Sequence, residues 1–385
     1  ELELQTPLAT AIAKIHGLGS QEAATVYETA FKLTQGMKSP PQLFQILYGL
    51  SSNRMNGDRF LEGLSIAKEL AAYADTMDDK SGYTIAHRWY GSYLLWSPDY
   101  ETAKLHLQKA VSAYEELKFN RWIDEYGQDP KGRSLNYLGH SHIWLGFPEK
   151  GIELLRQSVT HTETLESPYE LNFIHACSAI MHFYLNNLDE VKKHSESSLE
   201  ISLEKNLAWT EGHALVFAGW SDHRKNKRGS YEKIVGGLDQ MNSYGSTSFD
   251  SAGHWWLAYL DAAIRSHHYD VAREKLQHIL GTIKSLGCEA VLPEVLRLKG
   301  LCCLGDSGSN QEPVESHFSE SLTEARKHKN KIFELRTAIS YAKFLGENRE
   351  RQKAYDLLHP IYDGFTEGFE TGLLQEAAAS LKELQ

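Results

Sequence analysis

The chain has 385 residues, of which 41% are hydrophobic and 11% aromatic, so it can bury a large core and is not a disordered protein. Its formal net charge of -11 would repel the phosphate backbone, which argues against nucleic acid as the principal partner. No apolar stretch reaches the length of about 18 residues needed to span a bilayer. With only 10 Pro and many Ala, Leu, Glu and Lys, the composition predicts a helical protein.

Two features of the sequence bear on the cellular location of the protein and on whether the chain is part of a longer one. The four cysteines include no CxxC pair, and the N-terminal Glu1-Leu2-Glu3-Leu4 lacks the basic and apolar regions of a signal peptide. We therefore expect a reducing, cytoplasmic location and no membrane partner. The chain does not begin with Met, so we expect a piece of a longer protein.

Internal repetition with a period of about 40 residues is the main organising feature. A small residue followed by a large one four positions later and a small or apolar one after seven, as in Ala103, Leu107 and Ala110, is typical of the second helix of a helical hairpin. The same register recurs along the chain, less clearly at Val191 and Lys233. Its positions are Ala23, Gly63, Ala103, Gly151, Val191, Lys233, Ala272, Val314 and Ala354. The pattern predicts an all-α, tetratricopeptide-like solenoid of helical hairpins coiled into a right-handed superhelix.

In chain order, we expect an N-terminal cap over residues 1–20, helical hairpins over 21–363, and a closing motif with a capping helix over 364–385. All of them belong to one domain, 1–385. Turn residues such as Ser97-Pro98-Asp99, Asn186-Asn187 and Gly346-Glu347-Asn348 are expected to separate the two helices of a hairpin. Three insertions, at 118–130, 223–229 and 306–310, are predicted to be surface loops.

The closing motif at 364–385 contains glycines and phenylalanines whose structural roles can be predicted. Gly364 and Gly368 are expected to break a helix, while Phe365 and Phe369 return to the core. The following stretch, 373–384, is amphipathic and predicts the final capping helix.

Five separated blocks resemble one known group of proteins. They are Pro41-Gln42-Leu43-Phe44, Tyr126-Gly127-Gln128-Asp129-Pro130, Leu145-Gly146-Phe147-Pro148, Leu296-Arg297-Leu298-Lys299-Gly300 and the run from Tyr362 to Thr371. In this order they resemble the C-terminal helical-repeat region of predicted signalling ATPases of the STAND type. In that group the repeats follow an NTPase module, often with a class III adenylate or guanylate cyclase domain or a serine/threonine kinase domain upstream. The resemblance implies a sensing, autoinhibitory or scaffolding arm that contacts the upstream NTPase module.

The first helices of the hairpins should line a concave inner wall, which is the predicted binding surface for a protein or peptide segment. The alternative ligand is a small acidic molecule, because Arg88, Arg265 and Arg297 would give an acidic protein a local positive field. The alternative for the tryptophans of this wall is that they only fill space between helices. The predicted binding residues are Arg88, Asn136, His140, Trp144, Tyr184, Asp261, Arg265 and Arg297.

No catalytic or metal motif is present in the sequence. The chain has no GxxxxGK[ST] phosphate loop, no GxSxG elbow and no HExxH zinc motif. We therefore expect a protein that is not an enzyme and uses no cofactor and no metal. Two alternatives stay open: a free-standing repeat adaptor, and an enzyme whose site is assembled across distant repeats.

Overall fold

A computed structural model describes residues 2–16, 20–37, 42–115, 128–243, 253–305 and 314–385 of the chain. Nineteen α-helices and no strand occupy these ranges. The helices are α1 (Leu2–His16), α2 (Gln21–Thr34), α3 (Leu43–Asn56), α4 (Phe60–Ala74), α5 (Lys80–Trp96), α6 (Tyr100–Glu115), α7 (Pro130–Trp144), α8 (Pro148–Glu163), α9 (Pro168–Tyr184), α10 (Leu188–Lys205), α11 (Ala208–Arg224), α12 (Ser230–Ser243), α13 (His254–Arg265), α14 (Tyr269–Leu286), α15 (Leu292–Gly305), α16 (Val314–Lys327), α17 (Lys331–Glu347), α18 (Arg351–Asp363) and α19 (Gly372–Leu384).

The predicted hairpin repeat is confirmed. All nine register positions fall in the first turn of an even-numbered helix, usually at its fourth residue, as Gly63 does in α4 and Ala103 in α6. This includes Val191 and Lys233, the two weakest matches. The N-terminal helix, predicted as a cap, packs against α2 as the first helix of a further pair.

The ends of the helices follow from local sequence. Pro130, Pro148 and Pro168 each begin a helix, where the missing backbone N–H costs nothing. Asn186 turns the chain between α9 and α10 with a φ of 57°, a conformation that Asn tolerates. The turn predicted at 346–348 starts later, because Gly346 and Glu347 still belong to α17.

The helices form two layers with different burial. In α9, a first helix, 13 of 17 residues are buried, whereas α10, its partner, buries only 5 of 18 along one stripe. The layers approach closely where glycines face each other: a Cβ on Gly139 would lie 2.9 Å from the carbonyl oxygen of Gly151. First helices therefore form an inner layer that second helices cover.

The superhelix is tight enough for its later hairpins to contact its earlier ones. Trp144 of α7 packs against Phe333 of α17, with ring centroids 4.8 Å apart. The backbone N–H of Leu373 donates to the carbonyl oxygen of Leu185 at 2.8 Å. The downstream helices thus cover the inner surface of the central hairpins.

The closing motif behaves as predicted in all but one residue. Gly368 has a φ of 80° and Phe365 is buried. Phe369, expected in the core, is 45% exposed and only packs edge-on against Tyr362. The prediction for Phe369 is wrong: after the turn at Gly368, its ring lies beside Tyr362 of α18 instead of entering the core.

None of the described helices is long and apolar enough to cross a membrane. The insertion predicted at 118–130 lies outside the described residues except for 128–130, and the loop at 306–310 lies outside them entirely.

Candidate functional site

A pocket of about 280 Å³ with many charged lining residues opens on the inner wall of the second half of the solenoid. The ends of α11, α13, α15, α17 and α19 converge on it, which places successive first helices side by side. Five cationic and three acidic residues line it, in a chain that is acidic as a whole. These are Arg224, Arg265, Arg297, Arg336, Lys343, Asp261, Glu347 and Glu376.

The floor of the pocket is a buried charge triad. Glu294 has no exposed side-chain surface and accepts hydrogen bonds from both Arg297 and Arg336, at 2.7 to 3.2 Å. Burial opposes ionisation of Glu294, but the two guanidinium groups outweigh it and lower its pKa. Arg297 also donates to Ser340 Oγ at 3.1 Å, and Arg336 to the carbonyl oxygen of Tyr184 at 3.0 Å. The hydrogen bonds of both arginines are therefore made within the protein.

The wall of the pocket is built around Asp261. Its carboxylate is buried and accepts from Trp220 Nε1 at 2.9 Å and from Arg265 Nε at 3.0 Å. Burial alone would raise the pKa of Asp261, but Arg265, Arg224 and Arg297 together hold it well below its usual range. Asp261 is thus a fixed negative charge that orients the cations around it.

Arg224 is the incompletely satisfied cation of this wall. Its side chain is 17% exposed, and its nearest approach to a carboxylate is 4.0 Å, from Nη1 to Asp261 Oδ2. Within the described ranges it makes no hydrogen bond, and its guanidinium lies 5.4 Å from the ring of Trp220. Burial lowers the pKa of Arg224 despite the attraction of Asp261. A desolvated guanidinium with unused donors is suited to binding an anion.

Arg265 and Lys343 form the exposed edge of the pocket. Arg265 is 46% exposed and bonds to Asp261 through Nε alone. Lys343 is half exposed and donates to Glu376, which in turn accepts from Asn186 at 3.1 Å. These side chains can reorient toward a ligand without disturbing the buried triad of Glu294, Arg297 and Arg336.

Three of the eight predicted binding residues meet in this pocket, namely Asp261, Arg265 and Arg297. The other five do not line it. Arg88 is buried, lies 5.0 Å from the ring of Trp89 and donates to Tyr48 Oη at 3.3 Å. Their role in binding stays a prediction.

The remaining four are core residues of the inner layer. Asn136 donates to Ser178 Oγ at 3.2 Å, which links α7 to α9. Burial lowers the pKa of His140 to about 3, so it is neutral. Trp144 and Tyr184 pack against each other with centroids 4.9 Å apart, and both contact Phe333. The interpretation of Trp144 and Trp220 as space-filling residues fits their burial.

Sequence reasoning missed Arg224 and Arg336. Arg224 was assigned to the basic surface loop at 223–229, but it is the last residue of α11. Arg336 lies 42 residues after Glu294, so the repeat period itself could have paired them as neighbours on adjacent first helices. Charge pairs one period apart are the signal that would find this floor.

Two buried cysteines of the described ranges are poorly suited to nucleophilic chemistry. Burial raises the pKa of Cys177 to about 12, and that of Cys288 to about 11, which leaves both as unreactive thiols. A cluster of Glu289, Glu324 and His328 could hold a metal ion, but Lys327 Nζ already lies 3.1 and 2.9 Å from its two carboxylates.

No family model matches the chain, and no characterised protein matches it by sequence. Solved structures do resemble it. A Rap protein in complex with the competence and sporulation factor is 12% identical and has a TM-score of 0.55, and the match covers 100% of this chain and 97% of the Rap chain. Aspartyl phosphate phosphatase F from Bacillus subtilis is 13% identical with a TM-score of 0.51, over 94% of this chain and 93% of its own. Identities this low show a shared helical-repeat fold and nothing further.

Proposed function

We propose that this chain is a non-enzymatic interaction arm that binds an acidic protein segment in the charged pocket between α11 and α19. The observation that carries the proposal is Arg224, a largely buried guanidinium with no hydrogen bond among the described residues. The free energy lost by desolvating such a group is recovered when a carboxylate or phosphate completes its hydrogen bonds.

The pocket combines a rigid floor with cations that can still accept a ligand, and this arrangement supports an anionic ligand. The floor, Arg297–Glu294–Arg336, is internally satisfied and holds the helices in place. Arg224, Arg265 and Lys343 above it keep unused donors or exposed positions. A rigid floor beneath adjustable cations suits recognition of a carboxylate better than catalysis, which needs an activated acid, base or nucleophile.

The resemblance to signalling ATPases adds a candidate partner. An acidic segment of an upstream NTPase module, in a cytoplasmic protein, would let the arm report ligand binding or hold the module inactive. The Rap protein of similar fold is in complex with the competence and sporulation factor, which is compatible with a binding role for this fold. A free-standing adaptor that binds an acidic segment of another protein is the second candidate.

The test is a titration of the purified chain with poly-Glu, poly-Lys and poly-Ser peptides of equal length and with inorganic pyrophosphate. We expect the acidic peptide to bind and to raise the melting temperature. Arg224→Gln and Arg265→Gln should each weaken binding roughly tenfold or more, because each removes a charge-assisted hydrogen bond. The matched control is Arg156→Gln, which changes an exposed arginine that is not part of the pocket.

Three results would count against the proposal. Equal binding of poly-Glu and poly-Ser would show that charge is not recognised. Binding unchanged in both pocket variants would place the site elsewhere. A preference for pyrophosphate over every peptide would identify a small-anion site.

A further inference from the structure

The hairpin α9–α10 contains a cluster of imidazoles outside the charged pocket. His175 and His182 lie on α9, and His194 lies on α10. The Nδ1 atoms of His175 and His194 are 2.9 Å apart, and the rings of His182 and His194 stack at 5.4 Å with an interplanar angle of 13°. Glu190, one helical turn before His194, has its carboxylate 3.8 Å from His194 Nε2.

We propose that His182, Glu190 and His194 form a Zn²⁺ site with an open fourth position. One ligand atom from each residue lies within 4.8 Å of the other two. Ligands about 2.1 Å from a tetrahedral Zn²⁺ are about 3.4 Å apart, so modest side-chain rotation completes the site. Glu190 can make this movement because its side chain is 44% exposed. Two imidazoles and one carboxylate are a ligand set that Zn²⁺ uses in proteins.

His175 supplies the outer contact that such a site needs. The 2.9 Å separation of the two Nδ1 atoms requires one shared proton between the rings. When His194 donates it, His175 Nδ1 accepts, and the lone pair of His194 Nε2 points toward Glu190. Metal-binding histidines are usually held in this way by a partner on the second ring nitrogen.

The competing contacts around the ligands are weak. Lys193 Nζ lies 3.4 Å from Glu190 Oε2, but its side chain is 70% exposed, so this pair is screened by water. Asn187 Nδ2 approaches His182 Nδ1 at 3.2 Å, a long hydrogen bond. A divalent ion can displace either contact.

The chain contains its own control in the hairpin α5–α6. His87 and His106 have Nδ1 atoms 2.7 Å apart and the same sequence separation of 19 residues as His175 and His194. The equivalents of His182 and Glu190 in this hairpin are Leu94 and Thr102. The His–His contact alone is thus a property of the repeat, and the two added ligands distinguish the second hairpin. No single-helix motif contains them, which is why the sequence predicted no metal.

The experiment is a titration of the chelator-treated chain with ZnCl₂ by calorimetry and with CoCl₂ by visible absorption. We expect one equivalent to bind, with the intense visible bands of four-coordinate Co²⁺. Glu190→Gln and His194→Ala should each weaken binding at least tenfold, and His175→Ala should weaken it less, because it only positions His194. His106→Ala should leave the affinity and the spectrum unchanged.

Several outcomes would overturn the site. These are no stoichiometric binding, one equivalent that survives both Glu190→Gln and His194→Ala, and binding lost in His328→Ala instead. Because Glu190 is exposed, Glu190→Gln is expected to fold normally, and a helical circular dichroism spectrum with an unchanged melting curve establishes this. The Glu190 variant therefore decides the question even if His194→Ala unfolds.

Discussion

Asn330 donates its side-chain amide to the hydroxyl of Tyr100 at 3.1 Å, although 230 residues separate the two along the chain. The other end of the same amide accepts from the backbone N–H of Phe333 at 3.0 Å and so caps α17. One buried side chain therefore begins a helix and joins an early hairpin to a late one. Contacts of this kind make the solenoid cooperative beyond its nearest-neighbour interfaces.

We expect Tyr100→Phe to lower the free energy of unfolding by about 1 to 2 kcal/mol, because the substitution leaves the buried Asn330 amide without an acceptor. The measurement is urea unfolding followed by circular dichroism. Tyr169→Phe is the matched control, since Tyr169 is 67% exposed. Equal midpoints for the two variants would show that the contact between early and late hairpins contributes nothing.

Glu294 is the second residue whose loss should be severe. Glu294→Gln keeps the shape of the side chain but leaves Arg297 and Arg336 buried without their counterion, so we expect a loss of about 3 to 5 kcal/mol. Glu153→Gln, which alters an exposed pair with Arg156, should change stability by less than about 1 kcal/mol. Thermal unfolding of both variants measures the difference.

The pH dependence of Glu294 has a definite sign. Its pKa is lowered in the folded state, so its contribution to stability is complete above the ordinary value of 4.5 and is lost as pH falls through the lower folded value. The difference in stability between wild type and Glu294→Gln should therefore shrink in acid. A difference that grows as the pH falls would mean that Glu294 is not ionised in the folded protein.

The sequence predicts packing within a hairpin well, but it does not predict contacts between hairpins that are far apart in the chain. The register at Ala103 and Gly151 reports local hairpin packing, so the starts of the second helices could be predicted to within about three residues. The burial of Trp144 and Tyr184 depends on Phe333, which reaches them only when the superhelix turns back on itself. Periodicity does not give the pitch of a superhelix, so it identified inner-wall residues without showing which of them the later hairpins cover.

The pocket illustrates the same limit at the level of charge. Arg265 and Arg297 were both predicted to line the inner wall and to give it a local positive field. In the structure the two arginines differ. Arg297 is buried and makes two hydrogen bonds to Glu294, whereas Arg265 makes one hydrogen bond, to Asp261, and is half exposed. Whether an inner-wall arginine has a carboxylate partner depends on which residues of adjacent repeats lie side by side, and this is seen only in the structure.

His213 should make the protein less stable in mild acid. Burial among Trp209, Phe217 and Trp255 lowers its pKa to about 3, far below the ordinary 6.5. Between those two values the unfolded chain binds a proton that the folded chain does not, so stability falls as pH falls below about 6.5. As the pH falls, this loss begins near 6.5, before the contribution of Glu294 starts to be lost below 4.5.

We expect His213→Phe to flatten the pH dependence of stability between pH 6.5 and 4 by up to about 1.4 kcal/mol per pH unit. Unfolding by urea at several pH values measures the slope. His278→Phe is the control, because His278 is exposed on α14. If the His213 variant keeps the wild-type slope, His213 takes up a proton in the folded state.

Gly151 and Gly281 should respond to Ala in opposite directions. A Cβ on Gly151 would collide with Ile143 and lie 2.7 Å from the carbonyl oxygen of Gly139, so α7 and α8 would have to separate. We expect Gly151→Ala to cost about 1 to 3 kcal/mol, as overpacking usually does. A Cβ on Gly281, in the middle of α14, would meet no atom within 4 Å, so Gly281→Ala should stabilise by about 0.5 to 1 kcal/mol through helix propensity. Differential scanning calorimetry gives both signs. If Gly151→Ala also raises the melting temperature, the close approach of the two helices does not require glycine.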